Sequence, residues 1–367
     1  MATTLERLST ETSPQSFLKP ILDYHRIAIA VGENAPLSNS KTAMSLLRYR
    51  EADCLAVIDP AHAGKTIQEL YGISGKTPVV ACLDDVDSPD AMFVGISPAG
   101  GEMPASLRGT ILAAVRQGLD VVSGLHDFLV NDQEICTLAE QTGSRLIDVR
   151  RNHYHQTAKG AIFRPECLRI HAVGHDCSVG KMVTMLELER GLQARNVDAR
   201  FLATGQTGIM VVGNGVPVDC VVSDFVNGAV ENLVLENQQH DILLIEGQGS
   251  LTHPAFSAVT MGLLHGCAPQ GLILCYEAAR THVKGMPHVE LKSLEHYRKL
   301  YESVGGDRFP TEVIGVAMNG RYIHAEQAER EKEDVSRRLG LPVCDVYRDG
   351  ASLLVDAVMQ LRERLFS

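Results

Sequence analysis

The stretch "AVGHDCSVGKMVTMLELERGL", Ala172–Leu192, decides how this chain is read. It continues an apolar run, "LRIHAV", and leads into a segment of amphipathic helical period. Strand, glycine-rich turn and helix in that order make a phosphate-binding loop of the G-x-x-x-x-G-K type, with Gly174, Gly180 and Lys181 as its fixed points. Glycine lets the backbone turn its N–H groups inward, the helix start adds positive potential, and Lys181 supplies a mobile ammonium. Gly174, Asp176, Cys177, Ser178, Val179, Gly180 and Lys181 are therefore the candidate cofactor-binding residues. The loop departs from its type at Met182, where Ser or Thr would hold Mg²⁺. A thiol at a helix start such as Cys177 has a lowered pKa, but a small side chain in a tight turn is the simpler reading and is preferred.

Outward from this loop, short runs rich in Val, Ile and Ala alternate with helical segments along the whole chain, as in an α/β protein with mainly parallel sheets. "RIAIAVG", "CLAVID", "PVVACL", "MFVGIS", "DVVSGL" and "RLIDVR" are expected strands of a Rossmann-like first half, with "SKTAMSLLRYR" and "SLRGTILAAVRQG" as helices between them. The polar segment "RNHYHQTAKGAIFRPE" interrupts the alternation. The boundary is placed there, giving a Rossmann-like domain over 1–155 and a P-loop NTPase-like domain over 156–367. In the second half, "LRIHAVG", "ARFLATG", "DILLIEG", "GLILCYE", "EVIGVAMN" and "PVCDVY" are expected strands. Helices are expected near Lys181–Ala194, Val222–Gln238, Val289–Val304, Ala325–Leu339 and Ala351–Leu365. "GENAPLSNSKTA" and the glycine-rich "SPAGGEMP" read as ordinary turns.

Further chemistry gathers at the strand ends of the second half, where ligands bind in open α/β sheets. Glu246, directly after "DILLI", stands where P-loop folds keep a second acidic group. His253, seven residues on, is a candidate general base beside it. "ATGQTGIMVVGNG" is read as a donor-rich loop offering Gln206. Gln248 and Ser250 of "EGQGSL" join it as candidate substrate contacts. "CYEAARTHVKGMPH" holds Glu277, Arg280, His282, Lys284 and His288, from which Arg280 and Lys284 are taken as carboxylate clamps. Asn319 ends a strand where related folds place an amide that reads an adenine edge. No histidine pair falls at zinc-binding spacing on a helix, so no metal ligands are assigned.

Composition sets limits on partners. The chain has 367 residues, 45% hydrophobic, with a net charge of −11, which disfavours broad nucleic-acid binding. Its nine cysteines show no C-x-x-C pair, the pattern of reduced cytosolic thiols. The N-terminus lacks an apolar core of signal-peptide length, and no segment reaches ~18 uninterrupted apolar residues. The expectation is a cytoplasmic protein without nucleic-acid or membrane partners, acting on a small molecule. A homodimer is the default assembly.

The motifs "GHDCSVGK", "ATGQTG", "DFVNGAVENLV", "IEGQGSLTHPAFSAVT" and "EAARTHVKGMP" resemble those of a bacterial family of P-loop proteins. That family pairs a Rossmann-like N-terminal domain with a C-terminal domain similar to dethiobiotin synthetase. Some of its members are D-glutamate N-acetyltransferases of the DgcN type, working beside a dipeptide epimerase-like enzyme. The resemblance spans essentially the whole chain. It implies acetyl transfer from acetyl-CoA to D-glutamate or a similar acidic amino acid, with the loop cradling CoA phosphates. Such a ligand needs no Mg²⁺, which fits Met182. In that reading Glu246 or His253 is the base, the "GQGS" amides are oxyanion donors, and Arg280 with Lys284 hold carboxylates. The alternative it implies is an ATP/Mg-dependent kinase or ligase acting on a small carboxylate. A nucleotide-sensing regulator ranks last.

Overall fold

A computed structural model of the chain describes residues 19–32 and 39–366. The reading of the N-terminus and the middle of the "GENAPLSNSKTA" turn fall outside these described residues. The chain divides into two compact units. One reaches His153 and adds Gln206–Pro217, and the other comprises Tyr154–Gly205 and Val218–Ser367.

The first unit is built on strands β1 (Ile27–Ala30), β2 (Cys54–Ile58), β3 (Val79–Val80), β4 (Ala91–Val94), β5 (Asp120–Ser123) and β6 (Leu146–Asp148). They pair in the order β3-β2-β1-β4-β5-β6, parallel throughout. That is the doubly wound Rossmann order, with its reversal between β1 and β4. Every residue of β1 and β4 is buried, as a parallel sheet covered on both faces requires. "TGQTGIMVV" forms a helix, Gln206–Val212, rather than the expected loop. The reason is packing: Ile209, Met210 and Val211 are buried. Thr207 bonds Thr42 at 2.8 Å, and the Met210 carbonyl accepts from Arg50 at 3.2 Å. Glycines at 205 and 208 conceal that helix in the sequence.

The second unit contains β7 (Leu168–Gly174), β8 (Ala199–Leu202), β9 (Ile242–Ile245), β10 (Gly271–Glu277), β11 (His282–Val283), β12 (Met286–Glu290), β13 (Glu312–Asn319) and β14 (Val343–Asp345). Six of these form a parallel sheet in the order β14-β13-β10-β7-β9-β8, and β11 with β12 is a separate antiparallel hairpin. The register sets Gly174 opposite Cys275, and Glu277 opposite Asn319. The carboxyl ends of β7, β10 and β13 therefore meet along one edge. Both units are α/β with parallel sheets, as expected. Among the described residues no helix is long and apolar enough to cross a membrane.

Two helices begin later than expected. The one sought from Val289 starts at Leu294, because hairpin pairing carries the chain to Glu290 and the Ser293 hydroxyl then caps the His296 N–H at 3.3 Å. The one sought from Val222 spans Val226–Leu235, after a 3₁₀ turn at Ser223–Phe225. The helix Leu294–Gly306 buries Tyr297 and Tyr301, four residues apart on one face, in a core with Leu272, Leu274, Val316 and Met318. This packing aims both phenols at the edge where β7 ends.

Candidate active site

The loop after β7 leads into the helix Lys181–Gln193, whose N-cap is Gly180 at φ +106°. That backbone state excludes other residues at low cost, and glycine brings no side chain to cap the helix. The first N–H groups of the helix are thus left for an anion. Gly174 stands six residues before Gly180, with five residues between them where the motif has four, so His175 occupies the position of the motif's first glycine. Ser178 takes a left-handed φ of +59° and Val179 is buried, which completes the tight turn. Gly247 lies so close to β7 that a Cβ there would collide with the Ala172 carbonyl, and this lets the "EGQGS" turn approach the loop. Lys181 is buried and its ammonium donates to the carbonyls of Asp176 and Gly249, each at 2.8 Å. Burial holds its pKa below the ordinary lysine value.

Asp176 organises the rest. Its carboxylate has no exposed surface. It accepts from Arg280 and from the Lys284 backbone N–H at 2.8 Å each, and from the Cys177 N–H at 2.6 Å. Arg280 also grips Glu277 through two nitrogens, at 2.9 and 2.7 Å, and donates to the Cys177 carbonyl at 2.8 Å. Its guanidinium, expected from the sequence as a substrate clamp, is here engaged by the chain's own carboxylates. A buried Asp and Glu at the end of a parallel sheet need such a cation more than any ligand does. The other Glu277 oxygen takes Arg321 at 3.1 Å, and Arg321 remains 42% exposed. Lys284 is bound through its backbone. Burial, then the charges of Arg280 and Arg321, lower the pKa of its side chain. His282 and His288 point outward on the hairpin and take no part.

Glu246 is buried at the end of β9, accepting from the N–H groups of Thr204 and Gly205 at 2.8 and 3.1 Å. Burial outweighs those bonds and lifts its pKa to about 7. A carboxylate so poised can exchange a proton near neutrality. His253, the other candidate base, is fixed through its ring nitrogens. Its Nδ1 accepts the Ala255 N–H at 3.1 Å, so in the neutral ring Nε2 carries the proton, 3.6 Å from Asp176 Oδ1. Burial lowers its pKa and keeps the ring neutral. His253, Asp176 and Cys177 bring one ligand-type atom each within 4.8 Å of one another. A metal there would need the Nε2 lone pair that this tautomer lacks.

Of the remaining sequence candidates, Ser250 is fully buried, 3.4 Å from the Tyr301 hydroxyl. Gln248 sets its side-chain amide against Gly205, and its backbone carbonyl accepts from the Thr260 hydroxyl at 2.7 Å. Gln206 belongs to the first unit, where it donates to Ser97 at 2.6 Å. Asn319 is buried with its side-chain oxygen turned to the Arg321 N–H at 3.4 Å, a turn-stabilising role. Met182 is half-buried, and Thr184, the nearest hydroxyl, donates back to the Gly180 carbonyl at 3.1 Å. Tyr301 escaped the sequence reading. It donates to the Gly174 carbonyl at 2.7 Å and accepts from Leu251 at 3.1 Å, pinning the loop to the neighbouring turn. The pair of tyrosines at i and i+4 in "EHYRKLYE" was the available signal.

Comparison with known proteins agrees with this architecture. A family model described as a domain of unknown function, DUF1611, P-loop domain, matches residues 156–355, and its Rossmann-like N-terminal partner matches residues 60–152. A crystal structure of a DUF1611 family protein from Anabaena variabilis is similar at a TM-score of 0.86 and 37% identity, covering 91% of this chain and 99% of that one. A protein named D-glutamate N-acetyltransferase from Tritonibacter scottomollicae is 40% identical over 273 residues, 73% of this chain and 80% of its own. One of the same name from a Pseudoalteromonas species is 38% identical over 264 residues, 71% of this chain and 79% of its own. The chain thus belongs to the DUF1611 family, a Rossmann-like domain joined to a P-loop domain, among whose members are enzymes named D-glutamate N-acetyltransferases.

Proposed function

We propose that the protein transfers an acetyl group from acetyl-CoA to the amine of D-glutamate or a similar acidic amino acid. The observation that carries this reading is Glu246, a buried carboxylate held near pKa 7 on the strand beside an uncapped, lysine-bearing phosphate-type loop. The names of the relatives supply the acyl group and the acceptor.

The residues fit the donor. CoA carries phosphates that need a cradle, and the helix start at Lys181 offers N–H groups and a cation without a hydroxyl for Mg²⁺. Lys181 turns from the Asp176 and Gly249 carbonyls to a phosphate oxygen. For the acceptor, the exposed Lys284 side chain and the exposed part of Arg321 are the cations with charge to spare for carboxylates. Glu246 takes the amine proton. Near pKa 7 it is basic enough to do so and is ionised in a large share of molecules at neutral pH. The amides of Gly247–Ser250 stabilise the charge that develops on the thioester oxygen.

Incubating the protein with acetyl-CoA and D-glutamate, and resolving the products by chiral chromatography, tests the proposal. N-acetyl-D-glutamate should appear together with one free CoA thiol per product. Consumption of ATP with no acetylated product would replace this reading with the kinase or ligase alternative.

A further inference from the structure

We infer that the first unit carries a ribonucleoside site at the carboxyl ends of β1 and β2, where Asp59 accepts a hydrogen bond from a ribose hydroxyl. The site is separate from the acetyltransferase residues, which belong to the second unit. Asp59 directly follows β2, and its backbone N–H bonds the Val80 carbonyl of β3 at 3.0 Å. Its side chain is only 5% exposed. His62 Nδ1 holds one carboxylate oxygen, Oδ2, at 2.8 Å. The other, Oδ1, is buried and has no hydrogen-bond partner among the described residues. Asp59 is also the N-cap of the 3₁₀ turn Pro60–His62, where a carboxylate ordinarily accepts from the turn's N–H groups, yet its side chain makes no such bond. A buried acceptor left open is costly, and no local structural duty explains it. The Tyr71 hydroxyl is buried too and completes no hydrogen bond among the described residues, although Ser40 and the Asp59 charge lie near it.

The place in the fold gives the class of ligand. The strand order reverses between β1 and β4, and open parallel sheets bind ligands outside the carboxyl ends of their strands at such a reversal. In that crevice an acidic side chain after the second strand meets the ribose of a nucleotide. Gly32, two residues past β1, has a left-handed φ of +76°, and a Cβ there would come within 3.5 Å of Ser106 and 3.6 Å of Leu107. The backbone state favours glycine, so the chain beside Asp59's sheet edge carries no side chain at this turn. A ligand hydroxyl supplies what both open groups lack, since it donates to a carboxylate and accepts from a phenol. The carboxylate also selects against phosphate on the sugar, by charge repulsion. The ligand therefore has free 2′ and 3′ hydroxyls. Coenzyme A, with its 3′-phosphate, is not the occupant.

The test is equilibrium dialysis of the full-length protein against labelled adenosine, guanosine, cytidine and uridine. At least one should bind saturably, and its 2′,3′-dideoxy form and its 2′-monophosphate should bind far more weakly. Asp59→Asn should weaken binding about ten- to a hundred-fold, the worth of a hydrogen bond to a charged acceptor. Tyr71→Phe should weaken it several-fold without lowering Tm, because that hydroxyl has no partner to lose; a purely structural tyrosine would show the reverse. Lys181→Ala, in the other unit, should leave nucleoside affinity unchanged. Absence of saturable binding by all four nucleosides would overturn the site. So would binding that ignores the ribose hydroxyls and both first-unit variants, or binding lost in Lys181→Ala alone, which would place the nucleoside on the P-loop unit.

Discussion

Glu246 and Lys181 show how one fold places opposite demands on two ionisable side chains. Both are buried at strand or loop ends, and burial moves each toward its neutral form. For Glu246 the folded pKa of about 7 lies above the ordinary 4.5, so between those values the folded state binds more protons than the unfolded one. Stability contributed by this group is therefore complete below pH 4.5 and is lost as pH rises through about 7. Glu246→Gln should flatten that part of a stability–pH curve measured by urea denaturation. The same variant should cut kcat by about 10²–10⁴-fold, the usual worth of a general base, and remove the rise of activity through neutral pH. Lys181→Ala should leave the fold standing and weaken acetyl-CoA binding roughly ten- to a hundred-fold by calorimetry, since one charge-assisted contact is lost. An unchanged Kd would exclude the loop as the donor site.

At the scale of elements, the edge where β7, β10 and β13 end is held by the ion network Asp176–Arg280–Glu277–Arg321. Removing Arg280 leaves the buried Asp176 carboxylate without its guanidinium and Glu277 with Arg321 alone. Arg280→Met should therefore cost about 3–5 kcal/mol. Adding Asp176→Asn should recover part of the loss, a coupling that a double-mutant cycle reads directly. Additive effects would mean that the two residues act independently. This network also marks how far sequence patterns reach. Strands β7, β10 and β13 were legible to the residue because a strand buried on both faces is a continuous apolar run between polar ends. The helix start at Lys181 was legible through its glycine and lysine. The partners of Arg280 were not, because a basic residue after a strand looks the same whether it awaits a ligand or neutralises the chain's own acids. That distinction depends on Asp176, 104 residues away along the chain. The tautomer of His253 was hidden for a similar reason, since it follows from a backbone N–H two residues on.

At the scale of the whole molecule, a Rossmann-like unit and a P-loop unit are joined in one chain, and the nucleotide-type loop has kept its lysine while giving up its magnesium hydroxyl to Met182. We propose that this loop serves a phosphate-bearing acyl donor and not phosphoryl transfer. The most direct measurement is turnover of the full-length protein with acetyl-CoA and D-glutamate after exhaustive treatment with EDTA, with a parallel arm containing ATP and Mg²⁺. The expected result is formation of N-acetyl-D-glutamate and free CoA thiol at an undiminished rate, with no ADP or phosphate released in either arm. Loss of turnover on removal of divalent metal, together with ADP formation in the presence of ATP, would contradict it, because Mg²⁺ is what neutralises charge in phosphoryl transfer.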